Sequence, residues 1–339
     1  MAIRLRAAEH RAATAILGVG AYRGSRVVNN AEIAENLDLP EKWIVARSGI
    51  RSRRWAIETE TLAAMSAAAA KNALAHAAIA SEDVGCVIVA TITHLQQTPA
   101  VAPVVAAEIG AVNAGAFDLS AACAGFCYAL ALASDTVRSG GSRYVLVIGA
   151  ERISDMLDLD DSSTSFLFAD GAGAVVVGPS DEVAIGPVVW GADGTRKDVI
   201  RQAAPWDRLR SDPAGPWPGR LEMSGTAVYR WAIQEMAPVA RHALELAGVG
   251  VEDLSAFIPH QANGRIVTAV STALNLPEHV QVAFDVAEQG NTSAASIPLA
   301  MSRLLAEGEV EPRGLALLVG FGAGLAHAAQ VVRLPEGAA

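Results

Sequence analysis

Three residues combine a reactive side chain with a place in the chain from which it can act. Cys123 stands where a small-residue loop, Asp118-Leu-Ser-Ala-Ala-Cys-Ala-Gly125, turns into an apolar helix. Unpaired N–H groups and the helix dipole favour a thiolate at such a start, so a lowered thiol pKa is expected there. On position alone, however, a buried structural thiol is the better account, because cysteine is among the most often buried residue types. His260, in Phe257-Ile-Pro-His-Gln-Ala-Asn263, ends a short apolar strand and precedes a helix, and from there it can present a ring nitrogen to a cleft. Asn291, in Gly290-Asn-Thr-Ser-Ala-Ala-Ser296, enters another helix, and helix capping is the usual reason for asparagine there.

Other groups are weaker candidates. Cys127 lies one helical turn beyond Cys123 and Cys86 sits on a strand. With no Cys-x-x-Cys pair or histidine cluster to make a metal site, both read as core residues, and no metal or cofactor is expected. His76 and His242 lie on helices, and His10 and His279 sit near charged or turn residues. Gly18-Val-Gly-Ala-Tyr-Arg-Gly24 mimics a dinucleotide loop but leads into Ser25-Arg-Val-Val-Asn-Asn30 instead of a helix, and Gly171-Ala-Gly173 runs into a strand.

These residues need a scaffold, and the apolar pattern supplies one. Helical segments over 60–77, 99–109 and 123–138 alternate with strand-like runs over 84–90, 116–119 and 144–148, the pattern of an α/β fold with a buried sheet. Two stretches then look alike. The loop at Cys123 opens a helix ending at Ser139-Gly140, followed by the strand 144–148; the loop at Asn291 opens a helix ending at Glu307-Gly308, followed by the strand 315–319. Each half also has a phenylalanine- and glycine-rich turn into an apolar strand, at 168–177 and 321–332. A duplicated unit with halves 1–185 and 186–339 is the simplest account. Between them, Gly191 to Arg220 is rich in Asp, Arg, Gly and Pro without a helical or strand period, and is expected to be a functional surface loop.

Composition limits the function classes. With 52% apolar and 18% charged residues among 339, the chain can bury a large core. Its formal charge of -10 argues against a nucleic-acid surface or an anionic membrane as partner. No apolar run approaches the ~20 residues of a membrane span. The opening MAIRLRAAEHRAAT lacks the apolar core of a secretory signal, and three cysteines exclude a disulfide framework, so a cytoplasmic location is expected.

Taken together, Ser120-Ala-Ala-Cys-Ala-Gly-Phe126, Pro259-His-Gln-Ala-Asn263, Gly290-Asn-Thr-Ser-Ala-Ala-Ser296 and Gly320-Phe-Gly-Ala-Gly324 resemble the β-ketoacyl-acyl carrier protein synthase III family, and Trp43-Ile-Val-Ala-Arg-Ser-Gly-Ile50 resembles its early motif. The resemblance runs in order along nearly the whole chain. It implies a thiolase fold of two similar halves in a five-layered αβαβα arrangement, a homodimer, and a catalytic set of Cys123, His260 and Asn291. The expected reaction joins an acyl-CoA primer, acetyl or short branched acyl, to malonyl-acyl carrier protein with loss of CO₂ through an acyl-Cys intermediate. Backbone N–H groups of Cys123 and Ala323 would hold the oxyanion. All three cysteines precede residue 128, which leaves no late second cysteine of the kind a thiolase-like enzyme needs.

The resemblance further implies CoA contacts at Trp43, Arg47 and Asn263, and carrier-protein docking at Arg230 and Arg265. Acyl carrier proteins are usually acidic, so an acidic synthase needs a local basic patch. Three positions depart from the family pattern. Ser162 stands where an arginine often completes the adenine clamp, Gly264 stands where leucine is usual and is expected to loosen its helix start, and Thr98 stands where some members carry a phenylalanine closing the partner's acyl pocket. The smaller Thr98 implies room for a branched or longer primer. Competing readings are a polyketide-priming relative or acyltransferase of the same fold, a cysteine thioester hydrolase using Cys123 and His260, and a nicotinamide-binding protein using Gly18 to Gly24.

Overall fold

A computed structural model describes residues 13–212 and 214–336; the opening basic stretch up to residue 12, with His10, and Pro213 lie outside the described residues. The first sheet contains β1 (Ala13–Arg23), β2 (Val84–Ala90), β3 (Gly115–Leu119), β4 (Tyr144–Arg152) and β5 (Asp170–Ser180), in the order β1-β5-β4-β2-β3. The second contains β6 (Val189–Gly191), β7 (Leu254–Pro259), β8 (Gln281–Val282), β9 (Leu315–Phe321) and β10 (His327–Arg333), in the order β6-β10-β9-β7-β8. The second order is the first with five added to every strand. Strand directions repeat as well: β2 is parallel to β3 and β4, and β5 antiparallel to β4 and β1, as β7 is to β8 and β9, and β10 to β9 and β6.

Strand periodicity sorts the apolar side chains between layers. In the first sheet Val87, Val89, Leu146 and Ile148 face the alanine-rich helix α1 (Leu62–Ala77) and α2 (Val101–Ile109). Their neighbours Ile88, Ala90, Val145 and Val147 face the opposite way, onto α3 (Gly125–Arg138). In the second sheet Phe257, Leu317 and Val319 face α4 (Gly225–Ala247) and α5 (Gly264–Leu274), while Ala256, Ile258, Ala316 and Leu318 join the central cluster with α6 (Ser296–Ala306). Helices α3 and α6 therefore form the middle of five layers, αβαβα, and are apolar on more than one face because a sheet covers each side.

Several boundaries differ from the sequence expectation for local reasons. Helix α1 starts at Leu62, where the Thr61 hydroxyl accepts the Ala64 N–H at 3.1 Å. Helix α2 starts at Val101 because the Asp118 carboxylate, from β3, accepts the N–H groups of Val101 and Ala102, each at 2.8 Å. Such a cap comes from a residue distant in sequence. The helix expected at Cys123 begins at Gly125, after a single 3₁₀ turn, Ala122–Ala124. Gly18 lies inside β1, and the following residues lead to the strand Arg26–Asn29, so no dinucleotide turn forms.

The expected loop over 191–220 carries short elements of its own. A 3₁₀ turn, Gly194–Val199, precedes a strand, Ile200–Gln202, that pairs with Leu221–Met223, and Arg201 meets Glu222 at 2.8 Å. Between β1 and α1 a small unit holds the helix Glu41–Ser48, which carries Trp43 and Arg47. The fully buried Arg53 anchors this unit by donating to Asn30 Oδ1 at 2.7 Å and to the Phe166 carbonyl at 3.0 Å.

Candidate active site

The two halves exchange their loops. The turn Ala122–Ala124 before α3 packs on the end of β9, and the equivalent turn Ser293–Ala295 before α6 packs on the end of β4. Each turn opens on a residue in the left-handed region, Ala122 at φ 47° and Ser293 at φ 49°. Strain of this kind, ~1–3 kcal/mol per residue, persists where the surroundings dictate the conformation. The match sets the register of the duplication: Ala122 corresponds to Ser293, so Cys123 corresponds to Ala294 and Asn291 to Ser120.

Two glycines make this crossing sterically feasible. A Cβ at Gly149, on the inner side of β4, would run into the Ala294 carbonyl; one at Gly320, the equivalent place on β9, would sit 3.1 Å from Ala124 Cα. A third, Gly322, lies against the thiol itself, since a Cβ there would be 2.8 Å from Cys123 Cβ and 3.0 Å from its sulfur. The result is a cavity of about 490 Å³ lined by Cys123, His260 and Asn291, with Gly322 and Ala323 also in its wall. Trp43, Arg47, Ser162, Asn263 and Arg265 line the same cavity. Thr98 and Arg230 are exposed and are not among its lining residues.

Burial governs the protonation of the central groups. It pushes the Cys123 thiol up to about 12, with the nearby Glu151 carboxylate acting in the same direction, and with Ser293 and the residue's own N–H acting against both. Desolvation of the charged sulfur thus works against the thiolate that a helix start favours. Burial likewise pushes His260 down to about 3, leaving a neutral imidazole.

The ring of His260 is held on several sides. Its backbone N–H donates to the Val319 carbonyl at 2.8 Å, and Phe321 packs edge-on at 5.2 Å. Ser296, at the start of α6, places its hydroxyl 2.7 Å from Nδ1 and accepts the Gln261 N–H at 3.2 Å. With its oxygen accepting from Gln261, the Ser296 hydroxyl is free to donate to Nδ1, the arrangement that leaves the hydrogen on Nε2. Asn291 is equally constrained. Its Oδ1 accepts the Ser293 N–H at 2.8 Å, its Nδ2 donates to the Ala262 carbonyl at 3.4 Å, and its backbone pairs with Leu167 and Ala169. Asn291 is therefore not the expected helix cap, since Thr292 and Ala295 hold the cap positions of the turn and of α6; its amide instead bridges the turn to the Ser293 N–H, which orients it so that one N–H of Nδ2 is left for the cavity.

The outer residues engage one another. Arg47 lies over the Trp43 ring at 5.5 Å, and Trp43 meets Phe166 edge-on at 5.2 Å. Asn263 caps α5 by accepting the Arg265 N–H at 2.9 Å and donates to the Arg47 carbonyl at 3.2 Å. Gly264 lets α5 close on that helix, since a Cβ would come within 2.6 Å of the Phe284 ring and 3.1 Å of the Ser48 carbonyl. Arg265 lies over Tyr229 at 5.0 Å. Cys127 is fully buried in the central cluster and Cys86 is half-buried against it.

Three polar residues of the site went unnoticed in the sequence: Ser293, Ser296 and Glu151. Glu151 had a signal, because it ends the inner-facing series Val145, Val147, Gly149 of β4 with a carboxylate. Among the described residues no group of three or more His, Cys, Asp or Glu is placed to hold a metal ion, and no helix is long and apolar enough to cross a membrane.

The chain is similar to known proteins over nearly its full length. Family models described as 3-oxoacyl-[acyl-carrier-protein (ACP)] synthase III and its C-terminal part match residues 117–194 and 244–334. A β-ketoacyl-[acyl-carrier-protein] synthase III of Streptomyces glaucescens is 55% identical over 320 residues, covering 94% of this chain and 96% of the relative. A mycobacterial β-ketoacyl-[acyl-carrier-protein] synthase III of Mycobacterium marinum is 50% identical over 95% of this chain and 96% of its own. Among solved structures, the priming β-ketosynthase of the R1128 polyketide biosynthetic pathway superimposes with a TM-score of 0.95 at 50% identity, covering 98% of this chain and 99% of that one.

The hydrogen-bonding around His260 gives a direct test. Imidazole nitrogen shifts should show a neutral ring with its hydrogen on Nε2 from about pH 5 to about pH 9, because its pKa lies far below the ordinary ~6.5. Ser296→Ala should remove the tautomer preference. A ring that charges near pH 6.5 would contradict this geometry.

Proposed function

The chain belongs to the 3-oxoacyl-[acyl-carrier-protein] synthase III family, and from that membership we propose that its Cys123, His260 and Asn291 condense an acyl-CoA primer with malonyl-acyl carrier protein. The observation that supports this most is the convergence of a thiol and two neutral hydrogen-bond donors, from opposite halves, on one cavity. Cys123 attacks the thioester carbonyl of acetyl-CoA or a short branched acyl-CoA. The oxyanion is held by the N–H groups of Cys123 and Ala323, CoA leaves, and the acyl group stays on the sulfur. Malonyl-carrier protein then loses CO₂, and the enolate oxygen takes hydrogen bonds from His260 Nε2 and Asn291 Nδ2. Neutral donors suit this step, since they stabilise the developing negative charge and have no proton to give up irreversibly. Attack of the enolate on the acyl-Cys carbonyl yields the β-ketoacyl product, the committed start of fatty acid synthesis in the cytoplasm.

Trp43 and Arg47 would receive the CoA adenine and phosphates, with Asn263 fixing the Arg47 backbone; with Ser162 in place of arginine the adenine clamp has one cation fewer. Priming of a polyketide pathway is the second reading, favoured by the 50% identity to the R1128 priming ketosynthase. We further propose a homodimer joined along β3. This edge strand pairs only with β2 among the described residues and leaves Phe117 44% exposed. Thr98, exposed in the single chain, would then face the partner's acyl pocket and leave room for a branched primer. Arg230 and Arg265 would form the basic docking patch for the carrier protein.

Three experiments test this reading. Wild-type protein with labelled acyl-CoA should form an acyl adduct on Cys123 and a β-ketoacyl product only when malonyl-carrier protein is present. Cys123→Ala should form neither, while Asn291→Ala should still acylate but lose about 10²–10³ in product formation. Release of free acid without malonyl consumption would instead make the protein a hydrolase. Reversing Arg230 and Arg265 to Glu should raise KM for the carrier protein at low salt; an unchanged KM would remove the docking assignment. Sedimentation equilibrium should give twice the mass of the 35.0 kDa chain, and a monomer at micromolar concentration would contradict the dimer.

A further inference from the structure

The Asn291 amide is held by backbone groups alone, the Ser293 N–H at Oδ1 and the Ala262 carbonyl at Nδ2. The direction of the Ser293 N–H therefore decides where the amide points. Ser293 stands at φ 49°, a conformation that serine seldom adopts, and its surroundings must hold it there. Its hydroxyl donates to Glu151 Oε1 at 3.1 Å. Glu151 belongs to the other half, near the end of β4 on the inner face of the sheet, with no exposure to solvent.

The carboxylate is itself fixed from within its own half. It accepts the Ile92 N–H at 3.1 Å and the hydroxyls of Thr93 at 2.7 Å and Thr91 at 3.1 Å. The Arg152 N–H donates to Thr93 Oγ1 at 2.9 Å and the Thr93 N–H to Thr91 Oγ1 at 3.1 Å, so each threonine has its hydroxyl hydrogen left for Glu151. Among the described residues, Ser293 is the one partner of Glu151 from the second half. The pseudo-symmetric crossing lacks all three parts of this arrangement. Two residues beyond Gly149 lies Glu151, but two residues beyond Gly320 lies Gly322; Ala122 stands in place of Ser293, and Ser120 in place of Asn291. Carboxylate, hydroxyl and amide thus occur together in one crossing and are absent together from the other.

We propose that Glu151 and Ser293 are positioning residues for the condensing step: Glu151 tethers the Ser293 hydroxyl across the seam between the halves, and the Ser293 N–H thereby aims the Asn291 amide at the enolate oxygen. This rests on the acyl-transfer reading above. No bond is made or broken in the tether. Its effect is on orientation, and a donor misdirected by a fraction of an ångström stabilises the developing charge less. The effect therefore belongs to the transition state of condensation and passes through Asn291.

The experiment isolates condensation. Enzyme already acylated on Cys123 is mixed with malonyl-carrier protein and the product is followed over a single turnover, so that the reactivity of the free thiol does not enter the rate. Ser293→Ala puts at φ 49° a residue type that Ala122 already holds at φ 47°. It should lower the limiting rate about tenfold with little change in the carrier-protein concentration that gives half that rate. Added to Asn291→Ala it should cost nothing further, because it acts only through that amide. Glu151→Ala should reproduce the loss. Glu151→Gln should retain most of the rate, since its amide can keep the oxygen toward Ile92 and the two threonines and offer an N–H to Ser293 Oγ. A wild-type rate in folded Ser293→Ala or Glu151→Ala, a further tenfold loss when Ser293→Ala is added to Asn291→Ala, or equal losses in Glu151→Gln and Glu151→Ala would each overturn the tether and leave the acyl-transfer reading intact. If Glu151→Ala does not fold, the pairing of Ser293→Ala with Asn291→Ala decides the matter. Absence of any acyl adduct on wild-type Cys123 would overturn the acyl-transfer reading and the tether with it.

Discussion

Close approach of backbone to backbone at two strand ends is the constraint on which the rest of this molecule depends. At Gly149 and Gly320 the inner face of each sheet carries no side chain, and the helix-opening turn of the opposite half lies directly on it. Any larger residue at Gly149 would displace the turn that carries Asn291 and Ser293, and at Gly320 the turn that carries Cys123. The crossing puts the Cys123 thiol of one half in the same cavity as the His260 imidazole and Asn291 amide of the other, which neither half could assemble alone. Duplication followed by exchange also explains why the two turns share a left-handed residue yet carry different chemistry. Ala122 and Ser293 hold equivalent backbone positions, but only Ser293 has a hydroxyl, and only the first turn has a thiol.

Once the site is assembled, burial determines how its groups ionise. The thiol is pushed up to about 12, the imidazole down to about 3 and the Glu151 carboxyl up to about 7. In each case burial is the largest cause, and in each case it favours the neutral form. The thiol and the imidazole are thereby held neutral, and Glu151 is the one of the three whose charge changes in the neutral range. Hydrogen bonds from Ser296 to His260 and from Ser293 to Asn291 fix which atoms of those side chains remain available. Orientation and burial here replace a permanent charge, in keeping with electrostatic preorganisation as a source of catalysis.

Much of this was legible in the sequence because the relevant signals are local. Strands β2, β4 and β9 announced themselves as apolar runs of alternating facing, and the matched loops before α3 and α6 disclosed the duplication. Helix starts at Leu62 and Val101 were misplaced by two residues because their caps depend on side-chain positions, and Asp118 reaches Val101 only once β3 lies in the sheet. The short pairing of Ile200–Gln202 with Leu221–Met223 was hidden by a composition rich in Gly and Pro. Cys123, His260 and Asn291 were identified together only through the family pattern; singly, each had a plainer explanation. Glu151 escaped notice because a carboxylate at a strand end is ordinary until the opposite loop is seen to cover it. The helix start at Cys123 likewise signals donors but not the burial that a second half imposes.

The central claim is that one thiol serves two successive substrates in a cavity built from both halves, so that the acyl group rests on Cys123 between them. Initial velocities measured over a grid of acyl-CoA and malonyl-carrier protein concentrations test it most directly. A shared acyl-enzyme intermediate requires parallel double-reciprocal lines. Lines that intersect, showing that both substrates must be bound before either reacts, would contradict the account.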